Sequence, residues 1–463
     1  MSRKRRQDEE RTADLGSTAG IAMPCEAEAL SRRELLRTGV SLTAYASMAT
    51  LFGARWAMAD TPSFPPQRRL IWINMSGGWD LLEVTDPKTQ STSGLDMVYS
   101  FDQTNALADA TDGTRLGRWL PEVAAIGRDL LVVRGMAMGT TSHAAGSVYM
   151  DTGVLSNTGR VNAASIPAIV ASESKATIPI IQLAGGSDPA TDRGLLNPVS
   201  VVRAENLALY RSMYPADAAA ATRQLAVLDF LKGSLARLEG EVGATDRTAS
   251  LAAAEEKVRA QFQGDVGAKL SLNDTDRTLF RQNPPKGLST SQADAFALAL
   301  KLITGDIVTC INLGVGGFDT HQNQTPRLQP IMANVDFLLA RLVQGLRTVG
   351  MLDQTLIVLY SDFGRTPRVN AASGRDHWPV GGALVIGGGI DGGRSVGATG
   401  PNLEAANLVD PTTGLETTDS AVGVQLNPTH LGGMVLALTL GSGYAQYRPY
   451  LEALPALTRL RGA

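Results

Sequence analysis

The stretch that decides the fold covers residues 70–80 and reads Leu70-Ile71-Trp72-Ile73-Asn74-Met75, then Ser76-Gly77-Gly78-Trp79-Asp80. Six mostly apolar residues without polar alternation are typical of a strand buried on both faces of a sheet. The glycines and the aspartate that follow mark the carboxyl end of that strand, where sheets of this kind bind their ligands. This stretch therefore predicts both a fold class and a place for the functional site.

The same pattern recurs along the chain, in short apolar runs at 70–75, 130–134, 178–183, 307–313, 356–360 and 383–386. Helical patterns separate several of the runs, notably from Pro326 to about Val349 and from Ser291 to about Thr304. This alternation predicts an α/β fold with a doubly wound, mostly parallel sheet. Residues 217–265 are Ala-rich and helical, so we expect a helical insertion there, and 390–420 should be mostly loop.

The composition excludes several classes of protein. The 463 residues allow two or three domains of about 100–200 residues each, or one large α/β domain. A formal net charge of −3, without a basic stripe beyond the N-terminus, argues against a nucleic-acid partner. No window offers the roughly 18 consecutive apolar residues of a membrane span, which excludes a polytopic membrane protein. Two cysteines cannot build a disulfide scaffold.

The first 59 residues resemble an export signal. A twin-arginine pattern is present at Ser31-Arg32-Arg33-Glu34-Leu35-Leu36-Arg37, and a moderately apolar stretch leads to a small-x-small cleavage site, Ala57-Met58-Ala59. We expect a signal peptide over 1–59 and a mature domain over 60–463, delivered to the periplasm or secreted through the Tat translocase and not integral to the membrane after cleavage. A cytosolic N-terminal helix is the alternative. Because this pathway exports folded proteins, it favours a bound metal.

Polar motifs flank five of the apolar runs: Ser76-Gly77-Gly78-Trp79-Asp80, Thr140-Thr141-Ser142-His143, Gly316-Gly317-Phe318-Asp319-Thr320-His321, Ser361-Asp362-Phe363-Gly364-Arg365-Thr366 and Asp376-His377-Trp378. Three of the four histidines, and aspartates from three strand ends, should therefore meet at one rim of the sheet. Mixed Asp and His ligands suit zinc, manganese or iron, and the carboxylates shift the preference toward harder ions. We expect one or two divalent ions, with zinc, manganese or calcium as candidates.

Each of these residues also has a purely structural interpretation. Asp80 and Asp362 could cap helices, and Arg365 could simply pair with Asp362. His430 precedes an apolar helical segment, so we expect it to cap or pack that helix. The positions of the motifs at successive strand ends nevertheless favour a shared polar site.

The order of the motifs, with Thr152-Gly153 shortly after Ser142-His143, resembles a bacterial family, domain-of-unknown-function family 1501. That family is exported by the twin-arginine pathway and is distantly related to sulfatases and alkaline phosphatases. The resemblance covers nearly the whole mature chain and implies an alkaline-phosphatase-like, three-layer α/β/α core with a metal-assisted hydrolytic site. It also implies two metal positions, one served by Asp80 and Asp362, the other by Asp319, His321 and His377.

The sequence departs from those relatives at three points. They have Asp-His where this chain has Asp362-Phe363, so one imidazole ligand is missing. Their Asp and His ligands are usually four residues apart, whereas Asp319 and His321 are two apart. The nucleophile stays open between Ser142 and Thr141. The sulfatase sequence Cys-x-Pro-x-Arg is also missing, so classical sulfatase activity is not expected.

The resulting hypothesis is a secreted, metal-dependent hydrolase of phosphate or sulfate esters, acting on a small-molecule or cell-envelope substrate. Ser142 or Thr141 would attack, or a metal-bound water would attack with His143 as acid or base. Arg365 would hold substrate oxygens in a bidentate fork. The competing hypothesis is a non-catalytic periplasmic scaffold or binding protein with a degenerate site, as Phe363 indicates. A carbohydrate- or envelope-binding module ranks third.

Overall fold

A computed structural model describes residues 68–88, 103–174, 176–187, 201–212, 214, 217–243, 252, 255, 256, 258, 259, 262, 266–446 and 448–462. An eight-stranded sheet forms the centre of this part of the chain. Its strands are β1 Arg69–Met75, β2 Leu130–Ala137, β3 Ile178–Gln182, β4 Val201–Arg203, β5 Val308–Val315, β6 Thr355–Tyr360, β7 Val380–Gly387 and β8 Arg394–Val396. The six predicted strands are all present, so the predicted α/β fold is confirmed.

The strands lie in the order β8-β2-β7-β6-β1-β5-β3-β4. Five of the seven neighbouring pairs in this sheet are parallel, while β7 runs antiparallel to both β2 and β6. Every residue of β5, β6 and β7 is buried, as expected for strands covered on both faces. Because β7 is reversed, it begins at the rim where the parallel strands end. The residues just before β7 therefore join that rim.

Helices cover both faces of the sheet and create three layers. In chain order they are α1 Pro121–Ala124, α2 His143–Thr152, α3 Ile166–Ser172, α4 Leu207–Ser212, α5 Ala218–Val242, α6 Val266–Lys269, α7 Asp274–Arg281, α8 Thr290–Thr304, α9 Gln324–Thr348, α10 Pro428–Leu440 and α11 Pro455–Thr458. Successive side chains of β1 point to opposite faces of the sheet and so belong to two different hydrophobic cores. Ile71 and Ile73 join the core under α8 and α9, whereas Leu70 and Trp72 join the core under α2, α3 and α10.

Shorter elements complete the described chain. They are 3₁₀ turns at Leu81–Glu83, Gly127–Asp129, Ala204–Asn206, Leu352–Gln354 and Ser442–Gln446, and two-residue ladders that pair Asn105–Ala106 with Arg115–Leu116, Gly364–Arg365 with His377–Trp378, and Leu408–Val409 with Val424–Gln425. The stretch 390–420 is mostly irregular, as predicted.

The helix boundaries follow local sequence signals. Helix α9 begins two residues before the predicted Pro326, which places that proline in the first turn, where its missing N–H costs nothing. In the predicted insertion, Asp217 accepts a hydrogen bond from the Ala220 N–H and caps α5. His430 lies in the first turn of α10 and forms a capping box with Asn427, so its predicted capping role is confirmed.

Two predictions concern parts of the chain that are wholly or mostly outside the described residues. The predicted signal peptide, residues 1–59, lies outside them entirely, and so does most of 244–265 in the predicted insertion. Within the residues that are described, no helix combines the length and the apolar character needed to cross a membrane.

Asp151, near the end of α2, is a carboxyl group buried in the core beneath α2, α3 and α10. Its Oδ1 accepts hydrogen bonds from Trp72 Nε1 at 2.9 Å, from Tyr360 OH at 2.5 Å and from Ser187 Oγ at 3.0 Å. Burial raises the pKa of Asp151 to about 6, although the three hydrogen bonds lower it. Because the folded state then binds this proton more tightly than the unfolded state, its contribution to stability is full below about pH 4 and is lost as the pH rises to about 6.

Replacing Asp151 with asparagine is expected to remove this loss of stability. A pKa that moves from 3.8 to about 6 corresponds to roughly 3 kcal/mol of unfolding free energy between those pH values. The asparagine Oδ1 still accepts from the three donors but carries no charge. Urea unfolding at several pH values between 4 and 7 measures the free energy of unfolding of both proteins. If that free energy changes with pH in the same way in the wild type and in Asp151→Asn, the prediction is contradicted.

Candidate metal centre

One rim of the sheet collects the polar motifs. The strands β1, β5 and β6 end there, β7 begins there, and α2 starts over the loop that follows β6. The approach of α2 to that loop requires Gly146, because a Cβ at this position would lie 2.2 Å from the main-chain oxygen of Asp362. As a result, four segments distant in sequence bring together His143, Asp319, His321, Asp362 and His377.

The three imidazoles at this rim are each held through Nδ1. The acceptors are Asp362 Oδ2 for His143, Asp376 Oδ1 at 2.8 Å for His321, and the main-chain oxygen of Thr141 at 2.8 Å for His377. A carboxylate or carbonyl oxygen can only accept, so each Nδ1 carries the hydrogen. Each neutral ring therefore presents the lone pair of its Nε2 to the other side.

The Nε2 atoms converge on Asp319. Its Oδ1 lies 3.7 Å from His143 Nε2, 3.1 Å from His321 Nε2 and 3.7 Å from His377 Nε2. The Nε2 atoms of His321 and His377 are 2.9 Å apart. Two lone pairs at that distance repel each other unless a proton or another cation lies between them. The contact therefore requires a positive charge between the two rings, either a shared proton or a bound cation.

His143, Asp319 and His377 offer ligand atoms that all lie within 4.8 Å of one another. The Nε2 of His143 is buried and has no hydrogen-bond partner among the residues that the structure describes. An orphaned buried nitrogen of this kind calls for an explanation, such as an ion. Ligands about 2.1 Å from one zinc ion at tetrahedral angles lie roughly 3.4 Å apart. The residues present therefore fit a divalent metal.

Phe363 supports the cluster from below. Its ring, which is completely buried, lies 4.7 Å from the ring of His143 and 4.5 Å from that of His377, measured between centroids. The resemblance predicted that an imidazole ligand is missing at this position. In the structure Phe363 is an apolar support packed against two imidazoles, and it limits their rotation.

The charges of the cluster are set by its hydrogen bonds. The bond to Asp362 raises the pKa of His143, whereas burial lowers the pKa of His377. Burial acts to raise the pKa of Asp319, but the hydrogen bond from Arg365 holds it below its usual range. Burial opposes ionisation of Asp362 too, yet the bond from His143 keeps that pKa low. Both carboxylates are therefore anionic at neutral pH.

Asp362 acts on the cluster through His143. Its Oδ1 accepts hydrogen bonds from the Gly77 N–H at 3.0 Å, the Gly78 N–H at 2.8 Å and Ser361 Oγ at 2.9 Å, while its Oδ2 accepts from His143. Gly77 has a φ of +118°, and a Cβ there would lie 2.4 Å from a main-chain nitrogen of the neighbouring loop. The turn therefore requires glycine, and it presents two N–H groups to one carboxylate oxygen.

Asp80 lies in a separate buried network. Its Oδ2 pairs with Arg375 Nε at 3.0 Å and accepts a hydrogen bond from Gln324, and its Oδ1 accepts from the Leu82 N–H at 2.9 Å. The last bond caps the 3₁₀ turn, which is the structural interpretation considered for Asp80. The resemblance implied that Asp80 and Asp362 share one metal position, but in the structure the two carboxylates have different partners.

Arg365 is completely buried. Its Nε donates to Gly78 O at 2.8 Å, its Nη1 to Arg375 O at 3.1 Å, and its Nη2 to Gly77 O and to Asp319 Oδ1, the latter at 2.6 Å. This guanidinium was predicted to hold substrate oxygens. In the structure its partners are three main-chain oxygens, the Asp319 carboxylate and, at 3.4 Å from Nη1, His321 Nε2, so it ties the turn after β1 to the cluster.

Ser142 is exposed and is the N-cap residue of α2, but its side chain makes no capping hydrogen bond. Its hydroxyl therefore stands next to His143 without a role in the helix. The neighbouring Thr141 is exposed too, and its main-chain oxygen orients His377.

Two features of this site were not predicted from the sequence. His143 was predicted to act as an acid or base, whereas in the structure its Nε2 lies with ligand atoms of Asp319 and His377. Asp376 was part of a predicted motif but was given no role, and in the structure it binds His321. That adjacent Asp-His pair was the available signal, because metal-site histidines commonly donate to a carboxylate.

Solved structures that resemble this chain do so at low identity. A sulfatase from Pseudoalteromonas sp., PsFucS1, is 11% identical, with 90% of this chain and 75% of that chain covered and a TM-score of 0.36. The lipoteichoic acid synthase LtaP from Listeria monocytogenes is 9% identical, with coverage of 83% and 80% and a TM-score of 0.33. An alkaline phosphatase superfamily protein from Vibrio parahaemolyticus is 10% identical, with coverage of 79% and 73% and a TM-score of 0.32.

The family assignment rests on a sequence profile. No curated protein matches the chain significantly. The profile of the family described as "Protein of unknown function (DUF1501)" matches residues 67–430, which is most of the chain and spans all five polar motifs. The predicted resemblance is therefore confirmed, and the chain belongs to the DUF1501 family.

Proposed function

We propose that this protein is a metal-dependent hydrolase of phosphate or sulfate esters, with a divalent ion held by His143, Asp319 and His377. The observation that carries the proposal is the convergence of imidazole Nε2 lone pairs on Asp319 Oδ1. Nitrogen-rich donors with one carboxylate favour zinc, then manganese, over calcium, which takes six to eight oxygens. When bound, such an ion polarises an ester oxygen and lowers the pKa of a nucleophile.

We infer one ion and not two. The carboxylates expected at a second position are already neutralised by other groups: Asp80 by Arg375, and Asp362 by two main-chain N–H groups and His143. A buried carboxylate with a full set of partners gains little from an additional ion. Asp319 also pairs with an arginine, Arg365, but its side chain is 52% exposed, whereas those of Asp80 and Asp362 are buried. It is therefore the carboxylate of this set that an ion can reach.

Ser142 is the proposed nucleophile. It heads α2, a ten-residue helix whose first N–H groups favour anionic oxygens such as those of a phosphate or sulfate group. Attack by its Oγ would form a bond to phosphorus or sulfur while the bond to the alcohol oxygen breaks, and the alcohol would leave with a proton. Water would then hydrolyse the Ser142 ester. The substrate class is a small-molecule or cell-envelope ester.

An ester panel tests this proposal. The chain from residue 60, loaded with zinc or manganese, is incubated with p-nitrophenyl phosphate, bis-p-nitrophenyl phosphate and p-nitrophenyl sulfate. We expect turnover of at least one ester, abolished by Asp319→Ala and by Ser142→Ala, and kept by Ser291→Ala, an exposed serine on α8. A folded, metal-loaded protein that hydrolyses none of them would support the scaffold hypothesis.

We also propose export through the Tat translocase, guided by residues 1–59, to the periplasm or the medium. The support is the twin-arginine pattern and the cleavage site in the sequence. Replacing both Arg32 and Arg33 with lysine is expected to leave an uncleaved precursor inside the cell, while the unchanged chain is shortened and exported. Equal processing of the two chains would contradict this proposal.

A further inference from the structure

We propose that Asp376 is a positioning residue of the metal centre, which fixes the nitrogen of His321 that faces the cluster, and that Asn370 holds Asp376 in place. This inference rests on the proposed metal-dependent function. It adds a residue that the motif analysis did not assign to the site.

The contacts form a closed arrangement. Asp376 Oδ1 accepts from His321 Nδ1 at 2.8 Å, and Asn370 Nδ2 donates both to Asp376 Oδ1 at 3.2 Å and to the His321 main-chain oxygen at 3.0 Å. One amide group therefore holds both ends of the Asp376–His321 pair.

The loop that carries Asn370 and Asp376 is itself fixed against His321. The Oδ1 of Asn370 accepts from the N–H groups of Ala372 and Gly374, each at 3.0 Å. Gly374 packs so closely that a Cβ there would lie 2.1 Å from His321 main-chain atoms. The main chain around Asp376 is therefore held in place, although the Asp376 side chain itself lies at the surface.

His321 needs such a partner more than the other two imidazoles do. Its side chain is 43% exposed, compared with 38% for His143 and 25% for His377. An exposed imidazole ring can flip, or its proton can move from one ring nitrogen to the other. A carboxylate that accepts a hydrogen bond from Nδ1 prevents both changes. With Nδ1 protonated, the Nε2 lone pair of His321 faces Asp319 Oδ1 at 3.1 Å and Arg365 Nη1 at 3.4 Å. From this position it is the fourth ligand that we propose for the ion held by His143, Asp319 and His377.

The test is a double-mutant cycle on zinc affinity, measured by competition with a chromophoric chelator. We expect Asp376→Ala to weaken zinc binding about 10–100-fold, and Asp376→Glu to recover part of the loss. If Asp376 acts through His321, adding Asp376→Ala to His321→Ala should cause no further weakening. Asp419→Ala, at an exposed loop aspartate that binds the Ala421 N–H, is the matched control and should bind zinc as the wild type does.

The outcomes separate the positioning role of Asp376 from the proposed function on which it rests. The positioning role is overturned if Asp376→Ala binds zinc as tightly as the wild type. It is also overturned if Asp376→Ala weakens zinc binding equally in the wild type and in His321→Ala. Neither result contradicts the metal centre. A wild-type protein that binds no zinc overturns the proposed function itself. Because Asp376 is exposed, folding should survive the change, and Asp376→Asn offers a second, milder variant.

Discussion

Replacing His143 with alanine is expected to remove the metal while leaving the protein folded. His143 offers one of the three ligand atoms that share the centre, and its Nε2 has no other partner among the described residues. Losing a group that merely supports a ligand costs about 10–100-fold in affinity. Losing the ligand itself should cost more. The residue opens α2 and is partly exposed, so its removal creates no large cavity.

Bound zinc after dialysis of the purified protein measures this effect. We expect His143→Ala and His377→Ala to retain far less than one ion per chain under conditions where the wild type keeps it. His430→Gln is the matched control, because His430 caps α10 and lies outside the cluster. Retention of zinc by His143→Ala at the wild-type level would refute the ligand assignment.

Replacing Arg375 with methionine is expected to destabilise the fold by about 3–5 kcal/mol, the cost of breaking a buried ion pair by removing one partner. The side chains of Arg375 and Asp80 are 2% and 0% exposed. Without the guanidinium, the Asp80 carboxylate would remain buried with only Gln324 and the Leu82 N–H as donors. Its charge would then have no compensating cation.

Urea unfolding of a small set of variants tests this account of Asp80. Arg375→Met should lose the stated stability, and adding Asp80→Asn should restore much of it, because the orphaned charge is then gone. Asp80→Asn alone should keep its zinc. An Arg375→Met variant as stable as the wild type, or loss of zinc from Asp80→Asn, would return Asp80 to the set of candidate ligands.

The layers of the fold were predictable because the strands are almost uniformly apolar. A run such as Leu356–Tyr360 leaves no polar face, so it has to lie inside a covered sheet. The direction of β7 was not predictable in the same way. Its sequence resembles that of the parallel strands, and its reversal follows from pairing with β2 and β6, which only the assembled sheet provides.

The rim was predictable, but the partners at the rim were not. Strand ends located the motifs, since ligand sites of such sheets lie there. Which groups meet depends on contacts between distant segments: His143 binds Asp362 across 219 residues of sequence. Arg375 shows the same limit, because no local pattern indicates that it neutralises Asp80. Buried charges select partners in three dimensions, and no sequence spacing encodes that choice.

Elemental analysis of the purified, folded chain from residue 60 tests the central claim most directly. The convergence of imidazole lone pairs on Asp319 predicts one equivalent of a divalent transition metal per chain, retained through dialysis or restored by zinc or manganese after chelation. Two equivalents would contradict the single-ion site while keeping a metal centre. A correctly folded chain that contains no metal and takes up none on reconstitution would contradict the account.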